Sequence, residues 1–327
     1  MLAPMEGVTN SYFREMVVEL GAVDVVATEF VRLSQERQNI APITRHSVPL
    51  QIQLMGVTPE IIGSCLIFLK EKGRIHDDDW IDLNVGCPSK KVNSKGAGAA
   101  LLLEPKKLVK IVETMREHHS GPLSIKTRVG YQTDENYIDI LEALSDCPID
   151  FIAIHARTRC AGYSEPVNLE YLSQATSKLP FDVIGNGDVW TAKDGITMLN
   201  ETGVAGIMCG RGAIANPYLF NDIREFKAEK PPLSLEYQRI RLLTFAVKLL
   251  ETYQADTSKK NFIGTSKEFC MWLSKNPALG KPFFQAVKLC RNVPEILEVL
   301  QSLHKDALKA GQSELDSEFS FASQNTF

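Results

Sequence analysis

The stretch Trp80-Ile-Asp-Leu-Asn-Val-Gly-Cys-Pro-Ser-Lys90 shows the pattern on which most of the chain is built. Its first six residues are rich in apolar and branched side chains and predict a buried β-strand over 80–85. The strand ends beside Asn84 and turns through Cys87 and Pro88, so its carboxyl end carries groups that can do chemistry.

The same unit recurs through the first 225 residues. Runs rich in valine, isoleucine and leucine that end in glycine, asparagine or a charged residue predict eight strands: 2–5, 23–28, 49–54, 80–85, 123–129, 151–155, 182–186 and 206–209. Helical patterns lie between them, as in 105–118. Strand and helix alternating eight times predict an α/β fold, a (β/α)8 TIM barrel. A doubly wound sheet alternates in the same way, so periodicity alone leaves that fold open.

The residues at the strand ends favour the barrel. Nearly every predicted strand ends in a polar side chain: Glu6, Glu29, Gln53, Asn84, Lys126 with Arg128, His155 with Arg157, Asn186 with Asp188, and Arg211. In a barrel the carboxyl ends converge on one face, where barrel enzymes place their sites. We therefore expect a barrel with a functional site at that face.

The chain is predicted to continue beyond the barrel as a helical domain. Residues 227–235 contain Pro231-Pro232 and mixed charge, which is typical of a linker. Helical patterns follow at 235–253, 267–274, 282–290 and 294–308, with almost no strand signal. The predicted organisation is a catalytic barrel over 1–226, the linker over 227–235 and a small all-helical domain over 236–311. A polar, acidic tail over 312–327 is expected to be disordered.

Composition excludes several classes of protein. With 44% hydrophobic and 23% charged residues in 327, the chain is neither disordered nor fibrous. It has no apolar run of about eighteen residues and no signal-peptide pattern at its start, so we expect a cytoplasmic protein without a membrane segment. Seven widely spaced cysteines without a C-x-x-C pair argue against a disulfide scaffold and a zinc site, and no metal is predicted. No protein partner is implied, and a monomer is expected.

Charge is divided unevenly between the two predicted domains. Residues 1–225 carry 22 Lys and Arg against 29 Asp and Glu, whereas residues 226–312 carry 14 against 8. The positive excess is densest between Lys259 and Arg291, where Glu268 is the one acid. The overall charge of −4 therefore conceals an acidic domain joined to a cationic one. A lysine-rich solvated helix surface would give the same counts, so charge alone does not decide for a nucleic-acid partner.

Cys87 is the strongest candidate for a catalytic residue. The Gly-Cys-Pro turn places a thiol at the mouth of the barrel, on a loop whose glycines allow movement. A thiol with an ordinary pKa of about 8.5 is protonated at neutral pH and can donate a proton. The other six cysteines are expected to be small buried side chains.

Two further groups of residues predict ligand binding. Gly185-Asn-Gly-Asp188 and Cys209-Gly-Arg-Gly212 follow the seventh and eighth strands, where barrels commonly bind phosphate with backbone N–H groups and an arginine. Gln53, Lys126 and His155 point inward from the middle strands, and such donors suit the pyrimidine edge of a reduced flavin. Each of the three, taken alone, is equally typical of a polar residue satisfied within the core.

With these residues assembled, the chain resembles the tRNA-dihydrouridine synthase family. The matching segments occur in order along nearly the whole barrel: Leu2-Ala-Pro-Met-Glu-Gly-Val8, Thr28-Glu29, Gln53-Leu-Met-Gly56, Asp82-Leu-Asn-Val-Gly-Cys-Pro-Ser-Lys90, Lys126-Thr-Arg128, His155-Ala-Arg-Thr158, Asn186-Gly-Asp188 and Gly210-Arg-Gly212. Thr28-Glu-Phe-Val-Arg32 and Phe284-Gln-Ala-Val-Lys288 are similar to the bacterial C class, which acts on uridine 16 of the tRNA D-loop.

The resemblance implies a flavoprotein that reduces the C5–C6 double bond of a uridine in tRNA with FMN and NADPH. Hydride would pass from N5 of the reduced flavin to C6, Cys87 would protonate C5, and Asn84 would help orient the base. The implied cofactor contacts are Pro4, Met5, Gln53, Lys126 and His155 for the ring system and Asn186, Gly187, Asp188, Gly210 and Arg211 for the phosphate. The implied tRNA contacts are Arg32, Lys90, Arg157, Tyr163, Lys267 and Lys288.

Two other functions remain in competition at this point. Another FMN-dependent barrel oxidoreductase acting on a small molecule would share the phosphate turns, but it would not need the cationic helical domain. An RNA-binding protein that keeps the barrel as a scaffold would not need Cys87, Lys126 and His155 together. These side chains therefore favour the tRNA-modifying enzyme.

Overall fold

The computed structural model describes residues 1–34, 42–256 and 262–311. These residues form two compact units, one made of residues 1–11 and 23–210 and the other of residues 12–22 and the chain from Arg211 onward. The predicted organisation assigns residues 12–22 and 211–226 to the barrel domain, because their helices continue the alternation of strands and helices. The domain limits stay a prediction. The predicted disordered tail over 312–327 lies outside the described residues, as do Lys259 and Lys260.

The first unit is built on a parallel β-sheet. Its strands are β1 (Val26–Ala27), β2 (Val31–Arg32), β3 (Leu50–Met55), β4 (Trp80–Val85), β5 (Leu123–Arg128), β6 (Phe151–His155), β7 (Asp182–Asn186) and β8 (Gly206–Met208). The strand order is β1-β3-β4-β5-β6-β7-β8, with β2 also pairing with β3. Leu2 forms parallel bridges with both Val26 and Cys209, so it joins the two edges of the sheet. The sheet therefore closes into the predicted barrel, and the doubly wound alternative is excluded.

The helices of the chain follow the strands as expected. Helix α1 (Ser11–Glu19) precedes β1. Between the later strands lie α2 (Pro59–Glu71), α3 (Lys90–Asn93), a 3-10 helix (Gly98–Leu103), α4 (Pro105–His118), α5 (Tyr137–Ser145), α6 (Glu170–Lys178) and α7 (Ala192–Thr202). Helix α4 has the predicted limits and buries Leu108, Ile111, Val112 and Met115 on one face. Within the described ranges, no helix has the length and apolarity needed to cross a membrane.

The prediction of a first strand over 2–5 is wrong beyond Leu2. Pro4 has no N–H to donate to a neighbouring strand. The N–H of Met5 instead donates to the Thr9 side-chain oxygen at 2.8 Å, which turns the chain away from the sheet. The second predicted strand, over 23–28, is also shorter than expected, and β2 was not predicted.

The second unit is entirely helical in its described part. Its helices after residue 210 are α8 (Arg211–Ala215), α9 (Leu219–Lys227), α10 (Leu235–Ala255), α11 (Ile263–Leu273), α12 (Gly280–Val287) and α13 (Val293–Ala310). The predicted linker therefore corresponds to the interval between α9 and α10, and α10 begins after Ser234, whose side chain accepts from the N–H of Tyr237. The prediction of a barrel followed by a small helical domain is confirmed.

Aromatic side chains form the centre of this helical unit. The ring of Phe13 lies 5.7 Å from that of Phe245 and 6.0 Å from that of Phe269, and Phe13 and Phe269 are completely buried. Such edge-to-face contacts add to the stabilisation from burial. Most of helix α1 thus belongs to the core of the helical unit, although the chain places it before the first long strand.

Candidate active site

Polar side chains meet at the carboxyl ends of the barrel strands. The strand register makes direct neighbours of Gln53 and Asp82, of Asn84 and Lys126, of Arg128 and His155, and of His155 and Asn186. Another part of the barrel interior is an apolar cluster of Ala3, Ala153 and Met208, with Ile184 packed against it. The polar groups thus gather at one end of the strands, above an apolar interior, and such convergent polar groups are typical of a binding site for an organic ligand.

The backbone of Cys87 is held on both sides of its side chain. Its N–H donates to Oδ1 of Asn84 at 3.0 Å, and its carbonyl accepts from Nδ2 of Asn93 at 2.8 Å and from the N–H of Ala99 at 3.3 Å. Gly98 has φ +62°, and a Cβ there would lie 3.0 Å from that of Cys87. The glycine therefore permits close packing behind a turn that is held by hydrogen bonds, and the mobility expected of this loop stays a prediction.

The thiol of Cys87 is protonated at neutral pH and can act as a weak acid. Burial raises its pKa, and the carboxylate of Glu6 acts in the same direction, whereas the backbone at Ser89 and the guanidinium groups of Arg32 and Arg128 lower it. The net shift is upward, so the thiol stays protonated at neutral pH. Cys87 is partly exposed, so solvent can return a proton to it.

The other cysteines differ from one another in exposure. Cys65, Cys147, Cys209 and Cys270 are buried, as expected. Cys160 is exposed and Cys290 is partly exposed, so the prediction that all six are buried is wrong for these two. Both lie in connections outside helices and strands, where the chain does not enclose them.

Lys126 occupies the middle of the polar region. Its ammonium group donates to Oδ1 of Asn186 at 2.9 Å, and Nδ2 of Asn186 donates to the carbonyl of Met208 at 2.7 Å. Burial, helped by Arg128 and opposed by Asp82, lowers the pKa of Lys126 to about 8. At neutral pH the group is thus a charged donor that titrates only slightly above physiological pH.

His155 lies on the strand next to that of Lys126 and Gln53 lies two strands away on the other side, and the surroundings of the two differ. Gln53 is completely buried; its Nε2 donates to Asp82 and its Oε1 accepts from Asn84, each at 2.7 Å. One hydrogen of Nε2 remains for another acceptor. His155 is 6% exposed, and its ring lies 5.9 Å from that of Tyr163. The three predicted donors are therefore brought to the same end of the barrel.

The turn after β7 has an unusual backbone. Gly187 has φ +127°, and a Cβ there would lie 2.6 Å from Val167 and 2.9 Å from His155. Asp188 follows with φ +49°, and its carboxylate pairs with both terminal nitrogens of Arg157. Because a carboxylate repels a phosphate, Asp188 suits a phosphate site only through its backbone, with its side chain neutralised by Arg157.

The other predicted cofactor residues lie where Leu2 closes the barrel against the last strand. The backbone N–H and carbonyl of Met5 both bond the Thr9 hydroxyl, and Pro4 precedes it without an N–H. A Cβ at Gly210 would lie 3.2 Å from the sulfur of Met5. Gly210 is the last residue of the barrel unit, and with Arg211 the chain enters the helical unit for the second time.

The residues predicted to contact tRNA from the barrel unit fall into two groups. Arg32, Lys90 and Tyr163 are exposed; Arg32 lies 3.7 Å from the carboxylate of Glu6, and Lys90 is the first residue of α3. Arg157, in contrast, is only 4% exposed and is occupied by Asp188. The burial and the ion pair are typical of a structural cation, and the predicted tRNA contact of Arg157 stays a prediction.

The helical unit presents its cations separately. Lys288 follows α12 directly and is exposed, whereas Lys267 on α11 is partly buried. The remaining described cations of the predicted basic segment are all exposed: Lys275, Lys281 and Arg291.

Sequence reasoning missed the roles of Asp82 and Arg128. Asp82 is completely buried beneath Gln53, and the guanidinium of Arg128 donates to the carbonyls of Gly86 and Thr158, each at 2.9 Å. The available signal was the two-residue period of a strand, which puts Asp82 on the same face as Asn84 and Arg128 on the same face as Lys126.

Comparisons with known proteins place these residues in a family context. Residues 1–304 match the family model described as dihydrouridine synthase. The chain is 32% identical over 256 residues to the tRNA-dihydrouridine(16) synthase of Aquipseudomonas alcaligenes, covering 74% of this chain and 80% of that protein. It is 29% identical over 312 residues to the tRNA-dihydrouridine(16) synthase of Haemophilus influenzae, covering 90% and 97%. Among solved structures, morphinone reductase gives a TM-score of 0.48 at 12% identity over 71% of this chain and 86% of that one.

Proposed function

The chain belongs to the dihydrouridine synthase family, and from this membership we propose that it reduces the C5–C6 double bond of a uridine in tRNA to dihydrouridine. We infer that the target is uridine 16, because the relatives compared above carry that position in their names. The observation that carries the proposal is the pinned, protonated thiol of Cys87 on the same barrel face as Lys126 and Asn84.

A flavin fits the residues at this face. Lys126 offers a partly buried charged donor, Gln53 retains one N–H and His155 lies on the next strand, which together suit the pyrimidine edge of an isoalloxazine ring. Asn186, Gly187, the backbone of Asp188, Gly210 and Arg211 would hold the phosphate of FMN, and the chain at Pro4 and Met5 would border the ring. When bound and reduced by NADPH, FMN supplies the hydride for C6 of the uracil.

Cys87 supplies the proton for C5. Its pKa is raised by burial, so the thiol is protonated under the conditions in which the enzyme works. The hydrogen bonds at its N–H and carbonyl fix its position without any cost at the moment of reaction. Asn84 holds this turn and keeps one Nδ2 hydrogen with which to orient the base.

The polyanionic substrate is matched by exposed cations. Reaching C5 and C6 inside a folded tRNA requires the target base to leave its stack, and phosphate contacts supply the affinity for that step. We assign these contacts to the exposed Arg32, Lys90 and Lys288 and to the partly buried Lys267, with the exposed ring of Tyr163 as an aromatic contact. A tRNA substrate places the protein in the cytoplasm, and a monomer is sufficient for the reaction.

The test is a reoxidation experiment on the purified protein. Its flavin is reduced with NADPH without oxygen, and the recovery of the flavin absorption is followed after adding unmodified tRNA. A tRNA with cytidine in place of uridine 16 is the matched substrate control, and Cys160→Ala is the matched protein control for Cys87→Ala because Cys160 is an exposed free thiol in the same unit.

We expect reoxidation and one dihydrouridine at position 16 with wild type and Cys160→Ala, and neither product nor reoxidation with the cytidine substrate. Cys87→Ala should bind flavin and tRNA but react about a hundredfold more slowly, as expected for the loss of a general acid. Reoxidation by small enones or quinones but not by tRNA would instead support an FMN-dependent reductase of small molecules. Purified protein that binds no flavin would support a scaffold role.

A further inference from the structure

Asp82 is a buried carboxyl group to which the proposed function assigns no role. It lies on β4 and has no exposed surface. Its Oδ2 accepts from Nε2 of Gln53 at 2.7 Å, and its Oδ1 accepts from Oγ of Ser124 at 2.7 Å and from Nε2 of Gln51 at 3.2 Å. A carboxylate inside a barrel needs such donors, because burial without them is strongly unfavourable.

The bond from Gln53 begins a directed chain of side-chain amides. Because a carboxylate only accepts, Gln53 must turn Nε2 toward Asp82 and Oε1 toward Asn84. Asn84 must then turn Nδ2 toward Gln53, at 2.7 Å, and Oδ1 toward the Cys87 turn. There Oδ1 accepts from the N–H of Gly86 at 3.2 Å and of Cys87 at 3.0 Å.

We propose that Asp82 is a positioning residue for Cys87: it fixes the orientation of the Gln53 and Asn84 amides and thereby holds the Cys87 turn in place. The effect of Asp82 on catalysis rests on the proposed function, but its effect on the position of the Cys87 turn does not. Burial raises the pKa of Asp82 to about 7 against the opposing effects of Gln53, Ser124 and Lys126, so the carboxylate is populated from about neutral pH upward.

The substitution Asp82→Asn tests the direction of the chain. Oδ1 receives two donors and Oδ2 one, so the new amide should keep its oxygen at the Oδ1 position and turn its nitrogen toward Gln53. Two donors would then face each other unless Gln53 flips, and a flipped Gln53 forces Asn84 to flip as well. Asn84 would present Nδ2 to the N–H groups of Gly86 and Cys87, and the turn would lose its acceptor.

The readout is the rate at which iodoacetamide alkylates Cys87, measured by peptide mass spectrometry on the purified full chain without tRNA or NADPH. Losing one such hydrogen bond changes an equilibrium about fivefold, so we expect Cys87 to react about fivefold faster or more in Asp82→Asn. Exposed Cys160 serves as the internal reference and should not change. Ser124→Ala is the matched control, because it removes a donor from the same carboxyl but leaves the Gln53 bond; its Cys87 rate should stay that of wild type.

A double variant tests the chain independently of packing. Asp82→Asn with Gln53→Glu moves the carboxylate to position 53, where it accepts from the new amide and from Nδ2 of Asn84. Asn84 then regains its original orientation, and the rate of Cys87 alkylation should return to the wild-type value.

In turnover assays, Asp82→Asn should lower kcat far more than it changes KM for tRNA, because the thiol is displaced while the RNA contacts remain.

Three results would overturn the proposal. The first is an unchanged rate of Cys87 alkylation in Asp82→Asn, and the second is a double variant that is alkylated as fast as the single one. The third is faster alkylation of buried Cys65 and Cys209 along with Cys87, which would mean that Asp82 supports the whole barrel. A wild-type protein that makes no dihydrouridine would contradict the proposed function only, since the alkylation rates do not depend on turnover.

Discussion

Arg157 and Asp188 form a two-point ion pair at the carboxyl ends of β6 and β7, with Nη1 of Arg157 3.0 Å from Oδ1 of Asp188 and Nη2 bonded to Oδ2. Asp188 holds a left-handed backbone at φ +49°, so the pair secures the turn that follows β7. Arg157 also donates to the carbonyl of Glu165. One cation thus connects two loops of the proposed cofactor site, although the sequence indicated an RNA contact for it.

We expect Arg157→Met to weaken folding and flavin binding while leaving the RNA contacts intact. Removing Arg157 takes a two-point cation away from a partly buried carboxylate, and the free energy of unfolding should fall by about 2 kcal/mol because Asp188 keeps some exposure to water. The salt dependence of tRNA binding should match that of wild type. Urea denaturation and tRNA titrations at several salt concentrations measure both quantities.

Lys90→Ala provides the contrast for that experiment. Lys90 is exposed, so its loss should leave folding unchanged and reduce the salt slope of tRNA binding by about one unit. A reduced slope in Arg157→Met would show that Arg157 contacts the RNA after all.

The rate of the proton-transfer step should fall only at high pH. Burial raises the pKa of Cys87, so the thiol loses its proton, and with it the ability to act as an acid, only above its ordinary range. Single-turnover reoxidation of prereduced protein by tRNA, followed from pH 6 to 10, measures this step. Cys87→Ser should be slower at every pH and should lack the high-pH decline, since a serine hydroxyl does not titrate there; a decline that persists in this variant would assign it to another group.

Flavin affinity should depend on the ionisation of Lys126. Its pKa is lowered to about 8, chiefly by burial, so the ammonium donor predominates at pH 7 and is mostly lost at pH 9. The dissociation constant of FMN should rise over this interval, because a hydrogen bond from a charged donor is stronger than one from a neutral amine. Fluorescence titration with FMN at each pH provides the measurement.

Lys126→Met is the matched variant for that titration. It should bind FMN about tenfold more weakly at pH 7, the effect of losing one charge-assisted bond, and with little change between pH 7 and 9. Equal pH dependence in both proteins would assign the titration to a different group.

The alternation of strands and helices and the residues at the strand ends were sufficient to predict the barrel and to name many of the polar side chains that the structure brings together at its strand ends. These features follow from local periodicity, which a sequence displays directly. The pairing of Arg157 with Asp188 and the pinning of Cys87 by Asn84 and Asn93 were not predictable in this way. They depend on which side chains meet after the sheet has closed.

The missing first strand illustrates the same limit. A run of apolar residues at 2–5 has the composition of a strand, but the bond from Met5 to the Thr9 side chain competes with the sheet. Helix α1 likewise looks like any barrel helix in sequence, whereas the partners of Phe13, namely Phe245 and Phe269, lie more than two hundred residues further along the chain.

The free energy of unfolding should depend on the ionisation of Asp82 between pH 4 and 7. Its pKa is raised to about 7 in the folded state, mainly by burial, above an ordinary value of 3.8. Between these values the folded state holds a proton that the unfolded state has released, so the contribution of Asp82 to stability falls as pH rises. The free energy of unfolding of Asp82→Asn should therefore rise, relative to that of wild type, by about 1.4 kcal/mol per pH unit in this interval.

Urea denaturation at half-unit pH steps measures that difference. Asp139→Asn, which changes an exposed carboxyl group on α5, serves as the control and should run parallel to wild type. Parallel curves for Asp82→Asn and wild type would show that Asp82 is ionised throughout the interval.

The helical unit should bind tRNA through its cations. Reversing charge in the double variant Lys267→Glu with Lys288→Glu should weaken tRNA binding and reduce the magnitude of the salt slope by about two units, because each lysine that neutralises a phosphate releases roughly one counterion. The double variant Lys305→Glu with Lys309→Glu introduces the same charge change in the same unit, on exposed positions of α13, and is the matched control. It should lose some affinity through the long-range field but keep a slope closer to that of wild type, since neither lysine is assigned a phosphate. Equal losses of slope in the two double variants would mean that the unit attracts tRNA through its overall charge, and that Lys267 and Lys288 make no specific contact.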